Sequence, residues 1–129
     1  MVIDDPKVLD EVRAAFGRYE KALGENDVAV LDELFHDAGT TIRYGIGENL
    51  YGYSAIKAFR GARSPAGLAR TIDKTVITAY GDDFAVASTL FKRASLPGKV
   101  GRQMQTWVKF PHGWRVVAAH VSLIDEPAT

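Results

Sequence analysis

Apolar residues near the start of the chain recur at steps of three and four. Val8, Val12, Ala15, Phe16, Tyr19 and Leu23 make one stripe along a helix. Asp5-Pro6 opens it, because an Asp side chain caps free N–H groups and Pro suits the first helical position. Gly24 is the expected stop. Tyr19 lies on the inward stripe, so its hydroxyl is expected in the interior rather than in water. Asn26 or Asp27 caps a second, shorter helix carrying Val28, Leu31, Leu34 and Phe35, and the two helices form a hairpin. Thr40 to Gly45 predicts a first strand. Ser54 caps a short third helix with Ile56, Ala58 and Phe59, and "GARSPAG" follows as a loop. From Leu68 onward the pattern is strand and turn: Leu68 to Tyr80, Phe84 to Arg93, Gly101 to Phe110 and Trp114 to Ser122, separated by "GDD", "SLPGK" and "PHG". The final "DEPAT" reads as a loose tail. Helices first, then antiparallel strands joined by hairpins, predict an α+β domain with helices on one face of a curved sheet.

The strands carry a second message. "FAVASTLF" and "RVVAAHVS" have no clean polar face. Phe84, Val86 and Leu90 fall on one side, Ala85, Ala87 and Phe91 on the other, whereas a sheet with one wet face alternates. The helices cover one face only, so the outer face is expected to meet a second copy of the chain in a homodimer.

Composition narrows the function. The 129 residues suit one domain, spanning 1–129. Lys+Arg and Asp+Glu are equal at 16 each, which argues against a nucleic-acid or membrane-surface binder, since either needs a basic excess. The absence of cysteine excludes disulfides, thiol nucleophiles and zinc–thiolate sites. No apolar run approaches the ~20 residues of a membrane helix. "MVIDDPKVLDEV" lacks the basic and apolar regions of a signal peptide, so a cytoplasmic location is expected. His36, His112 and His120 are scattered without metal-ligand spacing, and no metal is expected.

The candidate chemistry starts at "TTIRYGIGENLYGY". Ile42 and Tyr44 share one face of the strand and Arg43 points to the other. Arg43 is either a solvated residue on the sheet surface or an inward guanidinium waiting for an anion, which it would bind by two parallel hydrogen bonds. Tyr19 is either a core tyrosine bonded to a backbone acceptor or a proton donor inside a pocket. Gln103 and Gln105 point to the same side as Trp107 and either pair across the sheet or line a polar cavity. His120 shares a face with Val116, Ala118 and Ser122, and is a core histidine or a ligand-binding one. Asn49 holds its turn or bends over a pocket rim. "GIGENLYG" lacks the Gly-Lys-Ser/Thr ending of a phosphate loop.

The strings "IRYGIGENLYGYSAIKAFR", "GRQMQTWV" and "GWRVVAAHVSLID" resemble the AtzH-like family, over about Asp4 to Asp125. That family belongs to the SnoaL-like superfamily of cone-shaped α+β barrels, whose founding member is nuclear transport factor two. The resemblance implies a cone of curved antiparallel sheet closed by helices and dimeric through the outer sheet face. It also implies a small decarboxylating amidohydrolase that converts 1,3-dicarboxyurea to allophanate in cyanuric acid breakdown, with no cofactor. Relatives associated with oxalurate catabolism widen the expected substrate to small ureido carboxylates. The family's catalytic tyrosine matches "FGRYEKAL", hence Tyr19, and its arginine matches "TIRYG", hence Arg43. On this reading Arg43 holds a carboxylate, Tyr19 is the general acid, and Asn49, Gln105 and His120 bind the urea amide and the second carboxylate. The other reading is a non-catalytic binding protein, or an accessory partner of an amidase in ureide or oxalurate catabolism.

Overall fold

The computed structural model describes residues 1–127. Helix α1 spans Pro6–Glu25 and α2 Val28–Leu34. Short strands β1 (Ile42–Tyr44) and β2 (Asn49–Tyr51) precede α3 (Tyr53–Ala62). Four longer strands follow: β3 (Thr71–Tyr80), β4 (Phe84–Lys92), β5 (Lys99–Phe110) and β6 (Gly113–Asp125). They make one curved, unclosed six-stranded sheet in the order β2-β1-β6-β5-β4-β3. All neighbours are antiparallel except β1 and β6, which run parallel. The α+β architecture is as expected, and the parallel pair departs from the all-antiparallel expectation: β1 follows the helical hairpin rather than a strand, so no tight turn dictates its direction.

Local chemistry explains the helix ends. Asp5 accepts from the N–H groups of Lys7 and Val8, and Pro6 takes the first turn. The helix passes Gly24 and stops one residue beyond it: Asn26, at φ 52°, is the left-handed cap, a position Asn tolerates nearly as well as Gly. Asp27 then caps α2. Ser54 does not cap α3; Gly52, at φ 89°, takes that position without a side-chain hydrogen bond. The expected strand from Leu68 starts only at Thr71, and Leu68 precedes it as a buried residue outside the sheet. Of the expected loose tail, Asp125 ends β6 and Glu126 N–H donates to Gly98 O, while residues 128 and 129 lie outside the described residues.

The inner face of the sheet meets the helices. Ala79, Ala85, Ala87, Trp107 and Val116 join Val12, Phe16, Leu31 and Phe35 in one core. Alanines on β3 and β4 leave room for the aromatic rings that the helices and β5 bring. Toward the far end of the sheet the filling changes. Phe91 of β4 lies opposite Gly101 of β5, and a Cβ at Gly101 would overlap its ring. The bare glycine lets that ring lie flat across the neighbouring strand. Outside, β4 shows half-exposed Val86 and Leu90, and Val76, Phe84 and Met104 are exposed. Among the described residues, no helix is long and apolar enough to cross a membrane.

Gly101→Ala should therefore cost about 1–3 kcal/mol, the usual range for overpacking a filled core. Urea denaturation measures it, and a change within about 0.5 kcal/mol, the size of an ordinary surface substitution, would contradict the close Phe91–Gly101 contact.

Candidate functional site

One cavity opens between the helices and the far end of the inner sheet face. Its volume is about 130 Å³, well below the ~300–1,000 Å³ of pockets for drug-sized ligands. Every layer of the fold contributes to its wall. Tyr19 and Leu23 come from α1, Arg43 from β1, Phe59 from α3, Gln103 from β5 and Val121 from β6. The segments between elements add Arg63, Leu68, Arg70 and Arg93.

Arg43 reaches this wall because β1 alternates. It pairs in register with Leu50 on one side and Ala119 on the other, and its side chain is only 12% exposed. Its Nη1 donates to Glu48 Oε1 at 2.8 Å, and its guanidinium lies 5.7 Å from the Phe59 ring centroid. Gly45 makes the Glu48 pairing possible, since a Cβ there would overlap the Glu48 carboxylate and press on Arg43 Nη1. Tyr19 is 4% exposed and leans toward Phe35. The phenol hydroxyls of Tyr44, Tyr51 and Tyr53 each have a partner, whereas that of Tyr19 has none among the described residues. It is therefore free for something in the cavity.

The remaining arginines fall into two kinds. Arg70 is fully engaged: Nε and Nη2 grip Glu20, Nη2 also donates to Gln103 Oε1 at 2.8 Å, and the guanidinium stacks 4.5 Å from the Phe91 centroid. Arg63 and Arg93 are not engaged. Nε and Nη2 of Arg63, and Nε of Arg93, are buried without an acceptor among the described residues. Arg93 also lies over Phe91, 5.3 Å from the ring centroid. Burial pushes the Arg63 pKa below its ordinary value, Arg43, Arg60 and Arg93 push the same way, and Tyr19 opposes them. Burial also lowers that of Arg93, helped by Arg70 and Arg43 and again opposed by Tyr19. Gln103 is 2% exposed, and its Nε2 also lacks a partner. A guanidinium only donates, so Arg70 fixes which end of the Gln103 amide faces it and leaves the NH₂ as the spare group.

The five polar residues singled out from the sequence separate here. Tyr19 and Arg43 line the same cavity. Asn49, Gln105 and His120 do not. Asn49 sits opposite Tyr44 in register and is exposed on β2. Gln105 is inward but lies deeper in the core, where its Oε1 accepts from Trp107 Nε1 at 3.1 Å. His120 is on the outer face, edge-on to Tyr44 with ring centroids 5.8 Å apart. Its displacement has a definite cause. Thr106 pairs with Ala118 but Trp107 with Val116, so Val117 is an extra residue in β6. This bulge reverses the side-chain phase: Val116 is inward, then Ala119 and Val121, and His120 turns out.

Sequence reasoning missed Arg63, Arg70 and Arg93 as site residues and left the role of Gln103 open. One of them carried a signal. Ala85, Ala87, Thr89 and Phe91 are the inward row of β4, and Arg93 continues their parity just beyond its end. Gln103 likewise shares the parity of Trp107. Arg63 and Arg70 flank a loop and have no period to follow.

The AtzH-like family profile matches residues 1–127. Among solved structures, a DUF3225-family protein with unknown function from Pectobacterium atrosepticum is 63% identical, with 95% of each chain covered and a TM-score of 0.92. A cystatin-like fold protein from Burkholderia xenovorans is 45% identical, covering 98% of this chain and 99% of its own, with a TM-score of 0.94. An NTF2-like protein from Pseudomonas putida, 17% identical over 90% of this chain and 86% of its own, shares the fold at a TM-score of 0.72. None of the curated proteins matches.

Proposed function

The chain belongs to the AtzH-like family, within the NTF2-like fold, and from that premise we propose that it is a decarboxylating amidohydrolase of a small carboxylated urea, converting 1,3-dicarboxyurea to allophanate. The observation that carries this reading is the meeting of a free phenol, Tyr19, with Arg43 in a small cavity whose other buried side-chain groups without a partner, among the described residues, are all hydrogen-bond donors. A flat dianion rich in acceptor oxygens is the complement of such a wall.

The reaction divides between the two residues. One N–CO₂⁻ group of the dianion is oriented by Arg43. The carbon–nitrogen bond breaks, its electron pair stays on nitrogen, and the carboxylate leaves as CO₂. Tyr19 donates its hydroxyl proton to that nitrogen, which yields the allophanate monoanion, and solvent returns a proton to the phenolate. Glu48 matters here. A carboxylate that departs as neutral CO₂ must give up its charge, and a guanidinium with no other partner would resist that. Arg43 shares its charge with Glu48, so it can orient the group without holding the charge in place. No metal or cofactor enters these steps.

The same reading includes a homodimer through the outer sheet face. Met104 stands 54% exposed beside a hollow of about 320 Å³ between β1, β4, β5 and β6, walled by Ile42, Val86 and Ala118. A knob and a hole on one surface suit two identical surfaces meeting about a two-fold axis.

Two outcomes check this. The purified chain alone should release CO₂ from 1,3-dicarboxyurea, with Tyr19→Phe slower by ~10²–10⁴-fold, the usual contribution of general acid catalysis, and Arg43→Lys also impaired. Equal rates in all three proteins would sink the assignment, and activity only with an added amidase would move it to the accessory reading. In sedimentation equilibrium the wild type should be a dimer and Met104→Glu a monomer; a monomeric wild type would refute the interface.

A further inference from the structure

The cavity holds more positive charge than its carboxylates neutralise. Four guanidiniums line it, from Arg43, Arg63, Arg70 and Arg93. Glu48 engages Arg43 and Glu20 engages Arg70. The other two have no carboxylate partner among the described residues, and their buried N–H groups have no acceptor. A buried polar group without a partner is costly, and an unpaired buried charge more so. Such groups persist where a ligand completes them.

We infer that Arg63, Arg93 and the Nε2 amide of Gln103 form a second anion seat, separate from Arg43, that takes the carboxylate the substrate retains and so selects dianions over monoanions. This rests on the proposed reaction only in naming that carboxylate as the retained one. Three features support the seat itself. First, its spare groups are all donors, from Arg63 Nε and Nη2, Arg93 Nε and Gln103 Nε2, so it fits an acceptor-only group. Second, two of its three members are held in place: Arg93 rests on the Phe91 ring and Arg70 holds the Gln103 amide in orientation. Third, it contrasts with the Arg43 side. There a protein carboxylate already occupies the guanidinium, which suits a group that loses its charge; here nothing does, which suits one that keeps it.

This division of labour gives the site a direction. The charged end that stays is anchored by two guanidiniums with no competing carboxylate, and the end that leaves faces the compensated one and the phenol. The product allophanate keeps the anchored carboxylate but has lost the other. The selectivity therefore acts on binding, before any chemistry.

Glutarate and pentanoate separate the seat from the reaction, because pentanoate has a methyl where glutarate has its second carboxylate and neither is turned over. By isothermal titration calorimetry at low salt, the wild type should bind glutarate at least about tenfold more tightly than pentanoate, the value of roughly one charge-assisted hydrogen bond. Arg63→Met and Arg93→Met should each collapse that preference toward equality, because either ligand then has only the Arg43 side to hold a carboxylate. Their thermal midpoints should not fall, because each removes an uncompensated buried charge. Arg63→Lys and Arg93→Lys keep the charge but lose the planar fork, should lower the preference less, and carry the test if a Met variant does not fold. A wild type without preference for glutarate, or a preference unmoved by all four substitutions, overturns the seat. If the preference behaves as described but 1,3-dicarboxyurea is not turned over, the seat stands and the reaction falls. Turnover with an unmoved preference gives the reverse.

Discussion

Two guanidiniums in a small cavity, without a carboxylate partner among the described residues, are the constraint on which the account of the site depends. Elsewhere the chain treats buried arginine conventionally. Arg60 is 4% exposed, pairs with Asp32 at 2.8 Å and lies over the Phe35 ring. Arg70 has Glu20, Gln103 and Phe91. Arg63 and Arg93 have no carboxylate partner among the described residues, and burial, followed by the charge of neighbouring guanidiniums, lowers their pKa values. Folding must offset that cost with the packed core between the sheet and the helical hairpin. Gly101 and Phe91 are the point where this becomes concrete: a missing side chain on β5 lets an aromatic ring lie flat, and that ring carries two of the cavity's guanidiniums.

The cavity walls are not equivalent, and the difference is chemical. Around Arg43 the loop glycine at 45 admits Glu48, so the guanidinium is already half satisfied. Opposite charges and free donors are thus distributed unevenly over a volume of about 130 Å³. For the proposed decarboxylation this unevenness is the useful property, because orienting a carboxylate and releasing it as CO₂ make opposite demands on a cation. Binding both ends equally would stabilise the bound substrate and the transition state alike, which does not raise the rate of the chemical step.

How much of this could be read from the chain depends on whether a periodic pattern reached the residue concerned. The helical stripe from Val8 to Leu23 placed Tyr19 inward, and strand alternation at Ile42-Arg43-Tyr44 placed Arg43 opposite its neighbours, as found. Regular alternation misled at His120, because a single extra residue at Val117 reverses the phase and nothing in "RVVAAHVS" marks it. Gln105 has the predicted inward direction, but depth decides its partner, and depth follows from how the helices sit on the sheet. Arg93 was legible by parity and overlooked because arginine at a strand end ordinarily reaches into water. Arg63 and Arg70 lie on either side of the loop after α3, where no local rule specifies direction; only the closed tertiary structure brings them to the wall.

A crystal structure with glutarate bound tests the central claim most directly, because it shows both seats at once. The account predicts one carboxylate at Arg43 beside the Tyr19 hydroxyl, with Glu48 still paired to Arg43, and the other accepting from Arg63, Arg93 and Gln103 Nε2. Glutarate bound outside the cavity, or held within it by Arg43 alone while Arg63 and Arg93 stay without an acceptor, would contradict it.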